Sequence, residues 1–289
     1  MADEFVGAGA CRPCHAAQYA QQSASGHARS LSRVKDHPLA ASFLDAIAAR
    51  GPAVEWAFGA GGQAVTFVSR VDGDSYLEHH LSYFTALKKL APTPGHAGKP
   101  EPGVLYRTFG AEAGILRCFQ CHSTGGLRVV EGNAVEPAEL GVRCENCHGA
   151  GGAHARSPLK ENIHRPLPEE LNQMCGSCHR KPAAAGEDTD FSNPWNARHQ
   201  PLSFSRSKCY VKSAGNLSCV NCHSPHGGPV KPACGGCHPS PKHPAGVGIS
   251  SKSCVKCHMP DVKPVEGLKF ANHWIGIYRA GETLIPSRR

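Results

Sequence analysis

The chain has 289 residues, of which 40% are hydrophobic and only 7% aromatic, with 32 glycines, 23 prolines and 15 cysteines. No apolar run reaches the 18 residues that a membrane-spanning helix needs, and a chain so rich in glycine and proline is poorly suited to an ordinary layered core. The formal net charge of +8 is concentrated in residues 201–289, which makes a nucleic-acid surface one alternative to consider.

One five-residue pattern, Cys-x-x-Cys-His, occurs seven times along the chain. Its first cysteines are Cys11, Cys118, Cys144, Cys175, Cys219, Cys234 and Cys254, and its second cysteines are Cys14, Cys121, Cys147, Cys178, Cys222, Cys237 and Cys257. Two thiols at this spacing add to the two vinyl groups of a haem, and the adjacent histidine ligates the iron. The pattern therefore predicts seven covalently bound haem c groups, with proximal ligands His15, His122, His148, His179, His223, His238 and His258.

Zinc sites and disulfides are the alternative interpretations of these cysteine pairs. Cys-x-x-Cys supplies half of many tetrahedral zinc sites, and neighbouring cysteines in an exported protein often form disulfides. Neither alternative requires a histidine directly after the second cysteine of every pair, whereas haem attachment does.

Haem binding also explains the composition. About 40 residues are available for each haem, which is too few for an ordinary core, so the macrocycles must supply buried apolar surface. We expect the haem-free chain to be largely unfolded, as in other small folds held by metal ligation. Each haem carries two propionates, and these are nearer partners for the basic residues 201–289 than nucleic acid is.

The elements predicted along the chain begin with a helix over Ala16–Ser25 and a second from Pro38 to Gly51, whose face is formed by Leu39, Phe43, Leu44 and Ile47. Residues 53–81 then alternate in hydrophobicity and predict a small antiparallel β-meander with strands Val54–Phe58, Gln63–Arg70 and Ser75–Leu81. A short helix is expected to run from its end toward Leu90.

Residues 91–103 contain four prolines and three glycines, which predicts a loop and an internal boundary. The expected organisation is therefore 1–90, with the first haem site and the meander, then the loop 91–103, then a six-haem region over 104–289. Within that region, Pro137–Leu140 and Pro168–Leu171 each stand seven residues before a motif cysteine. Proline followed by an acidic residue is typical of a helix start, so both segments predict short helices.

The sixth iron ligand is expected to be histidine. Only three methionines exist, and eleven histidines lie outside the motifs. His226, His243 and His154 follow their nearest motifs by three, five and six residues. Three extended residues span at most about 10 Å, too little to pass around the macrocycle. His226 must therefore ligate a haem other than the one attached beside it, and we expect the same of His243.

Several longer runs resemble the multihaem cytochrome c superfamily, which includes pentahaem nitrite reductases, octahaem reductases and the tetrahaem cytochromes of ammonia oxidisers. The runs are Ser25-Gly-His27-Ala, Cys144-x-x-Cys-His-Gly-Ala-Gly-x-x-His154, Cys219-x-x-Cys-His-Ser-Pro-His226, and Cys254-x-x-Cys-His-Met-Pro with Asn272-His273-Trp. The resemblance covers residues 11–29 and 118–275. It implies a mainly α-helical fold with much coil, wrapped around closely stacked haems, into which the β-meander is inserted.

The resemblance implies that His27, His154, His226, His243 and His273 are distal ligands. Two further ligands are needed, and we favour His80 and His199, with His79 and His37 as the next candidates. His96 and His164 lie beside prolines in polar loops and are expected to be solvated.

Three functions are compatible with this sequence. Electron transfer along closely stacked haems is favoured, because all seven motifs end in histidine and enough histidines remain to cap every iron. A reductase of nitrite, hydroxylamine or a sulfur oxyanion would need one iron with an open position. A subunit of a polymeric filament is the third possibility. Other redox proteins are the expected partners, and Cys209, outside the motifs, is assigned no role.

The expected location is the periplasm or the extracellular space, because haem is attached to such motifs outside the cytoplasm. The start Met1-Ala-Asp-Glu-Phe5 lacks the basic and apolar segments of a signal peptide. We therefore expect this sequence to represent a mature, exported form.

Overall fold

The computed structural model describes residues 4–50, 53–99, 101–109, 114–184, 186–214, 216–231, 234–243 and 254–287. The chain forms two compact units, Met1–Arg165 and Pro166–Arg289. In the described ranges, no helix is both long enough and apolar enough to cross a bilayer.

The first unit combines short helices with most of the strands. Its helices are α1 (Ala16–Ser23), α2 (Ala40–Ala48), α3 (Leu116–His122), α4 (Cys144–His148) and α5 (Gly152–Arg156). Its strands are β1 (Leu31–Arg33), β2 (Trp56–Phe58), β3 (Ala64–Asp72), β4 (Ser75–Phe84), β5 (Lys89–Pro92), β6 (Gly103–Arg107), β7 (Ser123–Val130) and β8 (Ala134–Leu140).

The second unit is built from short helices and connecting coil. Its helices are α6 (Pro168–His179), α7 (Gln200–Phe204), α8 (Lys208–Lys212), α9 (Cys234–Cys237) and α10 (Cys254–His258). Two short strands, β9 (Asp261–Val262) and β10 (Phe270–Ala271), pair antiparallel.

A six-stranded antiparallel sheet is the largest element of the first unit. Strands β1 to β5 are neighbours in chain order, and β6 also pairs with β4. Strand β4 has two partners on one edge, since residues 75–79 pair with β6 and residues 81–84 pair with β5. The predicted meander of 53–81 is therefore confirmed, and it is the centre of a larger sheet.

Two apolar clusters hold this sheet. In one, Phe43 and Ile47 of α2 pack with Phe67 and Tyr83 of the sheet, which confirms the predicted apolar face of that helix. In the other, Trp56 and Tyr76 pack with Phe119 of α3, and the Trp56 and Phe119 rings meet edge to face at 5.2 Å. Both predicted N-terminal helices are thus present, although Gly51, the expected end of the second, lies outside the described residues.

Three predicted features differ from the structure. The helix expected to run toward Leu90 is wrong, because Lys88 has a positive φ of 52° and the chain turns there into β5. The segment 91–103 joins two strands of the same sheet, and the chain divides into its two compact units after Arg165 instead. Helix accounts for 32% and strand for 20% of the structure, so the expected mainly α-helical class holds only in part.

The two similar segments before motif cysteines fold differently. Pro168 begins α6, and the Glu170 carboxylate accepts a hydrogen bond from the Leu167 N–H at 2.7 Å, as a helix start requires. The helix predicted over Pro137–Leu140 is wrong, because this segment lies in β8. There Pro137 faces Leu127 of β7 in a two-stranded ribbon, where a residue without an N–H is tolerated at an edge.

Candidate haem sites

The seven motifs lie on helical turns, which bring the two thiols and the imidazole of each motif together. Helices α3, α4, α6, α9 and α10 carry five of them, and 3-10 turns at Ala8–Cys11 and Cys219–Asn221 begin the other two. Residues i, i+3 and i+4 of a helix share a face. The two thiols and the imidazole of one motif therefore project to the same side, as attachment to one haem edge requires.

None of the fifteen cysteines, all of which the structure describes, forms a disulfide, so the disulfide alternative has no support. No group of three or more residues suited to metal binding occurs among the described residues, and zinc clusters of motif cysteines are likewise not formed there. Cys209 is half-buried, and burial raises the pKa of its thiol.

Backbone carbonyls orient the imidazoles of several motifs. Nδ1 of His122 lies 2.9 Å from the Ser30 carbonyl, and Nδ1 of His258 lies 2.7 Å from the Gly276 carbonyl. His148 makes the same contact with the carbonyl of His164 at 2.9 Å. A proton on Nδ1 leaves the lone pair on Nε2, and this is the arrangement that metal-bound histidines adopt.

Two histidines outside the motifs are oriented in the same way. Nδ1 of His154 lies 3.0 Å from the Leu159 carbonyl, and Nδ1 of His273 lies 2.9 Å from the Ala271 carbonyl. Burial lowers the pKa of His273 to about 4, which keeps its ring neutral. Neutral imidazole is the form that ligates a metal.

The structure pairs three motif histidines with three of the predicted distal histidines. The ring centres are 6.2 Å apart for His15 and His154, 6.1 Å for His223 and His273, and 6.1 Å for His243 and His258. Metal–imidazole bonds of about 2 Å, together with the ring radius, separate two imidazoles on opposite sides of one ion by about 6 Å. The ring separation of each pair matches this distance.

Electrostatic contacts relate two further pairs. The pKa of His122 is lowered by burial and, to a smaller extent, by His27. Burial lowers the pKa of His199 to about 4, with smaller contributions from Arg198, Arg180 and the motif residue His179. His27 and His199 are thus brought near motif histidines of their own units.

The remaining candidates are placed differently. The His80 ring lies 6.1 Å from that of His96 instead of from a motif histidine. His226 lies half-buried in the turn that follows the fifth motif. The expectation that His96 is solvated is wrong, because it is 3% exposed and its Nε2 lies 3.0 Å from the Glu78 carboxylate. His164 is exposed, as expected.

His37 and His79 use their ring nitrogens in hydrogen bonds within the first unit. Nε2 of His37 contacts the Gly59 carbonyl at 3.0 Å, and its Nδ1 accepts a hydrogen bond from the Leu39 N–H at 3.0 Å. Nε2 of His79 lies 2.7 Å from the Ser69 hydroxyl. These contacts support structural roles for both residues.

Thiols of different motifs lie next to one another. Burial and a hydrogen bond with Cys144 raise the pKa of Cys11 to about 11. The Cys175 and Cys219 thiols are also hydrogen-bonded, which lowers the pKa of Cys175 and raises that of Cys219. The first motif therefore adjoins the third, and the fourth adjoins the fifth.

Two residues inside the motifs have roles that the spacing did not predict. Phe119, between the cysteines of the second motif, is fully buried in the sheet cluster. Glu145 of the third motif is 3% exposed, and its carboxylate accepts hydrogen bonds from the N–H groups of Val6, Gly7 and Gly151 at 3.0, 2.7 and 2.7 Å. In the sequence, the only signs of these roles are the residue types: an aromatic side chain and a carboxylate at positions that differ from motif to motif.

Comparison with protein families gives two partial matches. Residues 136–239 match the cytochrome c3 family, and residues 107–149 match the family described as cytochrome c554 and c-prime. Comparison with curated proteins gives no sequence match.

Two solved structures resemble the fold. The outer cell wall cytochrome OcwA aligns with a TM-score of 0.50 and 17% identity, covering 76% of this chain and 56% of its own. An undecahaem cytochrome from the S-layer of Carboxydothermus ferrireducens aligns with a TM-score of 0.50 and 18% identity, covering 88% of this chain and 44% of its own. The chain thus spans about half the length of the structures that it matches.

Proposed function

We propose that this chain is a heptahaem cytochrome c that carries electrons along closely stacked haems, most of them held by two histidine ligands. Bound haem supplies one-electron chemistry. The chain's own residues would attach each group through two thioethers, hold most of the irons between two imidazoles and fix the spacing between neighbouring groups. Distal ligation is proposed for His27, His154, His199, His226, His243 and His273.

The three imidazole pairs at 6.1 to 6.2 Å are the observation that carries this proposal. Each joins a motif histidine to a histidine outside the motifs, and both imidazoles of a pair would hold one iron between them. A filled coordination sphere favours electron transfer over substrate binding, because no position is left for a substrate at that iron.

The adjacent thiols support short distances between haems. Each first cysteine marks an edge of its own haem, so the contacts of Cys11 with Cys144 and of Cys175 with Cys219 bring two haem edges together in each unit. Distal ligation reinforces the first contact, because His154 follows the third motif in the chain but faces His15 of the first. One haem is thereby tied to the segment that carries its neighbour.

The names of the two similar structures place those proteins in an outer cell wall and an S-layer. By analogy, we propose that this chain is exported and acts in the periplasm or outside the cell. Its partners would be other redox proteins that donate and accept electrons.

An electron paramagnetic resonance spectrum of the oxidised holoprotein tests the proposal. We expect seven haems by pyridine haemochrome assay and a spectrum dominated by low-spin iron. A large high-spin signal in the unmodified protein that changes on addition of nitrite or hydroxylamine would instead support a reductase.

A pair of variants tests the ligand assignment. His154→Ala should convert one low-spin centre per chain to high-spin, because it removes one axial imidazole. His37→Ala is the matched control, since it removes an imidazole whose nitrogens are used in hydrogen bonds within the first unit, and it should leave the low-spin count unchanged. An unaltered spectrum for His154→Ala would contradict the assignment.

A further inference from the structure

The topology of the sheet brings together two histidines that are distant from the motifs. His80 lies where β4 changes partners, between the residues paired with β6 and those paired with β5. His96 lies in the connection between β5 and β6, so the chain returns it to the same edge. Backbone hydrogen bonds fix both positions, from the His80 N–H to the Pro102 carbonyl and from the His96 N–H to the Thr93 carbonyl, each at 2.8 Å.

Both rings have a buried nitrogen without a hydrogen-bond partner. Nδ1 of His80 and Nδ1 of His96 make no hydrogen bond among the described residues, although both atoms are shielded from solvent. An unsatisfied buried polar atom costs about 1–3 kcal/mol, so two of them in adjacent rings require an explanation. The ring centres are 6.1 Å apart, with an angle of 46° between the rings.

The carboxylate of Glu78 determines which nitrogen of His96 is available. Its Oε2 lies 3.0 Å from Nε2 of His96 and also accepts a hydrogen bond from the Tyr106 hydroxyl at 3.2 Å. A carboxylate on Nε2 holds the proton there and leaves the Nδ1 lone pair free. This is the carboxylate–histidine arrangement that supports metal-bound imidazoles and raises their basicity.

We propose that Nδ1 of His80 and Nδ1 of His96 bind a first-row transition-metal ion such as Zn²⁺, with Glu78 as the carboxylate that positions His96. Imidazole suits zinc, copper and nickel, and the ring separation of 6.1 Å lies at the upper end of the roughly 5–6 Å that two metal–nitrogen bonds of about 2 Å allow. Among the described residues no third side chain completes the site, so water fills the remaining positions. His80 is only partly buried, which gives the ion access from solvent.

The proposed zinc site would be separate from haem ligation. His80 and His96 face each other, whereas the paired motif histidines face His154, His243 and His273. The proposal replaces our expectation that His80 is a distal haem ligand. It does not depend on the proposed electron-transfer function, because the sheet that carries it has its own apolar core.

Equilibrium dialysis of the holoprotein against Zn²⁺, with bound metal measured by mass spectrometry, tests the site. In the holoprotein the motif thiols are thioethers and do not compete for zinc. We expect His80→Ala and His96→Ala each to lose one zinc ion per chain relative to the unmodified protein. His37→Ala, which removes a buried imidazole of the first unit with both nitrogens bonded, should retain it.

Glu78→Gln provides a test that keeps both imidazoles. It should weaken zinc binding by about 10- to 100-fold, as loss of a supporting carboxylate does in other sites. Equal zinc content and affinity in all variants would overturn the proposal. A new high-spin haem in His80→Ala would overturn it as well, because His80 would then be an iron ligand.

Discussion

The imidazole of His243 faces that of His258 with 6.1 Å between the ring centres, although His243 follows the sixth motif and His258 belongs to the seventh. The short segment after one motif thus reaches the histidine of the next. His154 and His15 have a corresponding relationship in the first unit. Ligation across motifs would fix the distance between neighbouring haems, because moving one haem would pull on the ligand of the other.

This relationship predicts which haem changes when His243 is replaced. His243→Ala should give one high-spin iron per chain. The signal should disappear when the seventh haem is also removed by Cys254→Ser and Cys257→Ser. It should persist when the sixth haem is removed by Cys234→Ser and Cys237→Ser. Electron paramagnetic resonance of the three proteins makes the comparison, and the reverse pattern would assign His243 to the sixth haem.

Glu145 should contribute strongly to the stability of the first unit. Glu145→Ala leaves three N–H groups without their acceptor, and each unsatisfied buried donor costs about 1–3 kcal/mol. We expect a loss of at least about 2 kcal/mol in the free energy of unfolding and faster hydrogen exchange at Val6 and Gly7.

The control for this prediction is Glu136→Ala. The Glu136 carboxylate is 44% exposed and pairs with Arg128 on the surface, an interaction worth about 0–1 kcal/mol. Denaturant titration of both holoproteins makes the comparison. Equal stability of the two variants would show that the N-terminal segment does not depend on Glu145.

Gly141 is required where two chain segments approach closely. It has a φ of +78°, and a Cβ there would lie 2.1 Å from the Ala28 carbonyl oxygen. The adjacent Val142 N–H donates to the His27 carbonyl at 2.9 Å. Gly141→Ala should therefore displace the segment that carries His27 and destabilise the protein by at least about 1–2 kcal/mol.

Disturbance of His27 should also be visible at the second haem, as a high-spin contribution in the spectrum of Gly141→Ala. Gly126→Ala is the control, because a Cβ at that position meets no atom within 4 Å. If both variants kept the unmodified spectrum and melting temperature, the close approach at Gly141 would have no consequence for haem ligation.

His37 should make the stability of the sheet depend on pH. Burial lowers its pKa below 6.5, the contact with the Gly59 carbonyl partly opposes this, and Arg29 lowers it further. The folded protein therefore binds a proton at His37 more weakly than the unfolded chain does. The contribution of neutral His37 is complete above pH 6.5 and is lost as the pH falls through the lowered pKa.

Thermal unfolding of the holoprotein measured on either side of pH 6.5 tests this sign. His37→Gln should melt at a lower temperature near neutral pH, and the difference from the unmodified protein should shrink on acidification. A difference that grows on acidification would mean that His37 is protonated in the fold.

Local patterns predicted those features that depend on neighbours in sequence. Helices α1 and α2 and the strands of the meander follow from periodicity over a few residues. The two similar segments before motif cysteines show that the same local pattern can form either a helix or a strand. Pro168–Leu171 starts a helix, whereas Pro137–Leu140 pairs with β7, because tertiary pairing outweighs a preference of a few tenths of a kcal/mol per residue.

The sequence by itself predicts covalent haem attachment, because two thiols and an imidazole at fixed spacing occupy one face of a single helical turn. It could not determine which distal histidine meets which motif, or that His96 is buried beside Glu78 and His80. Those relationships join residues far apart in the chain. Only the packing of separate segments against one another decides them, since local geometry within a few residues carries no information about which distant segment will arrive.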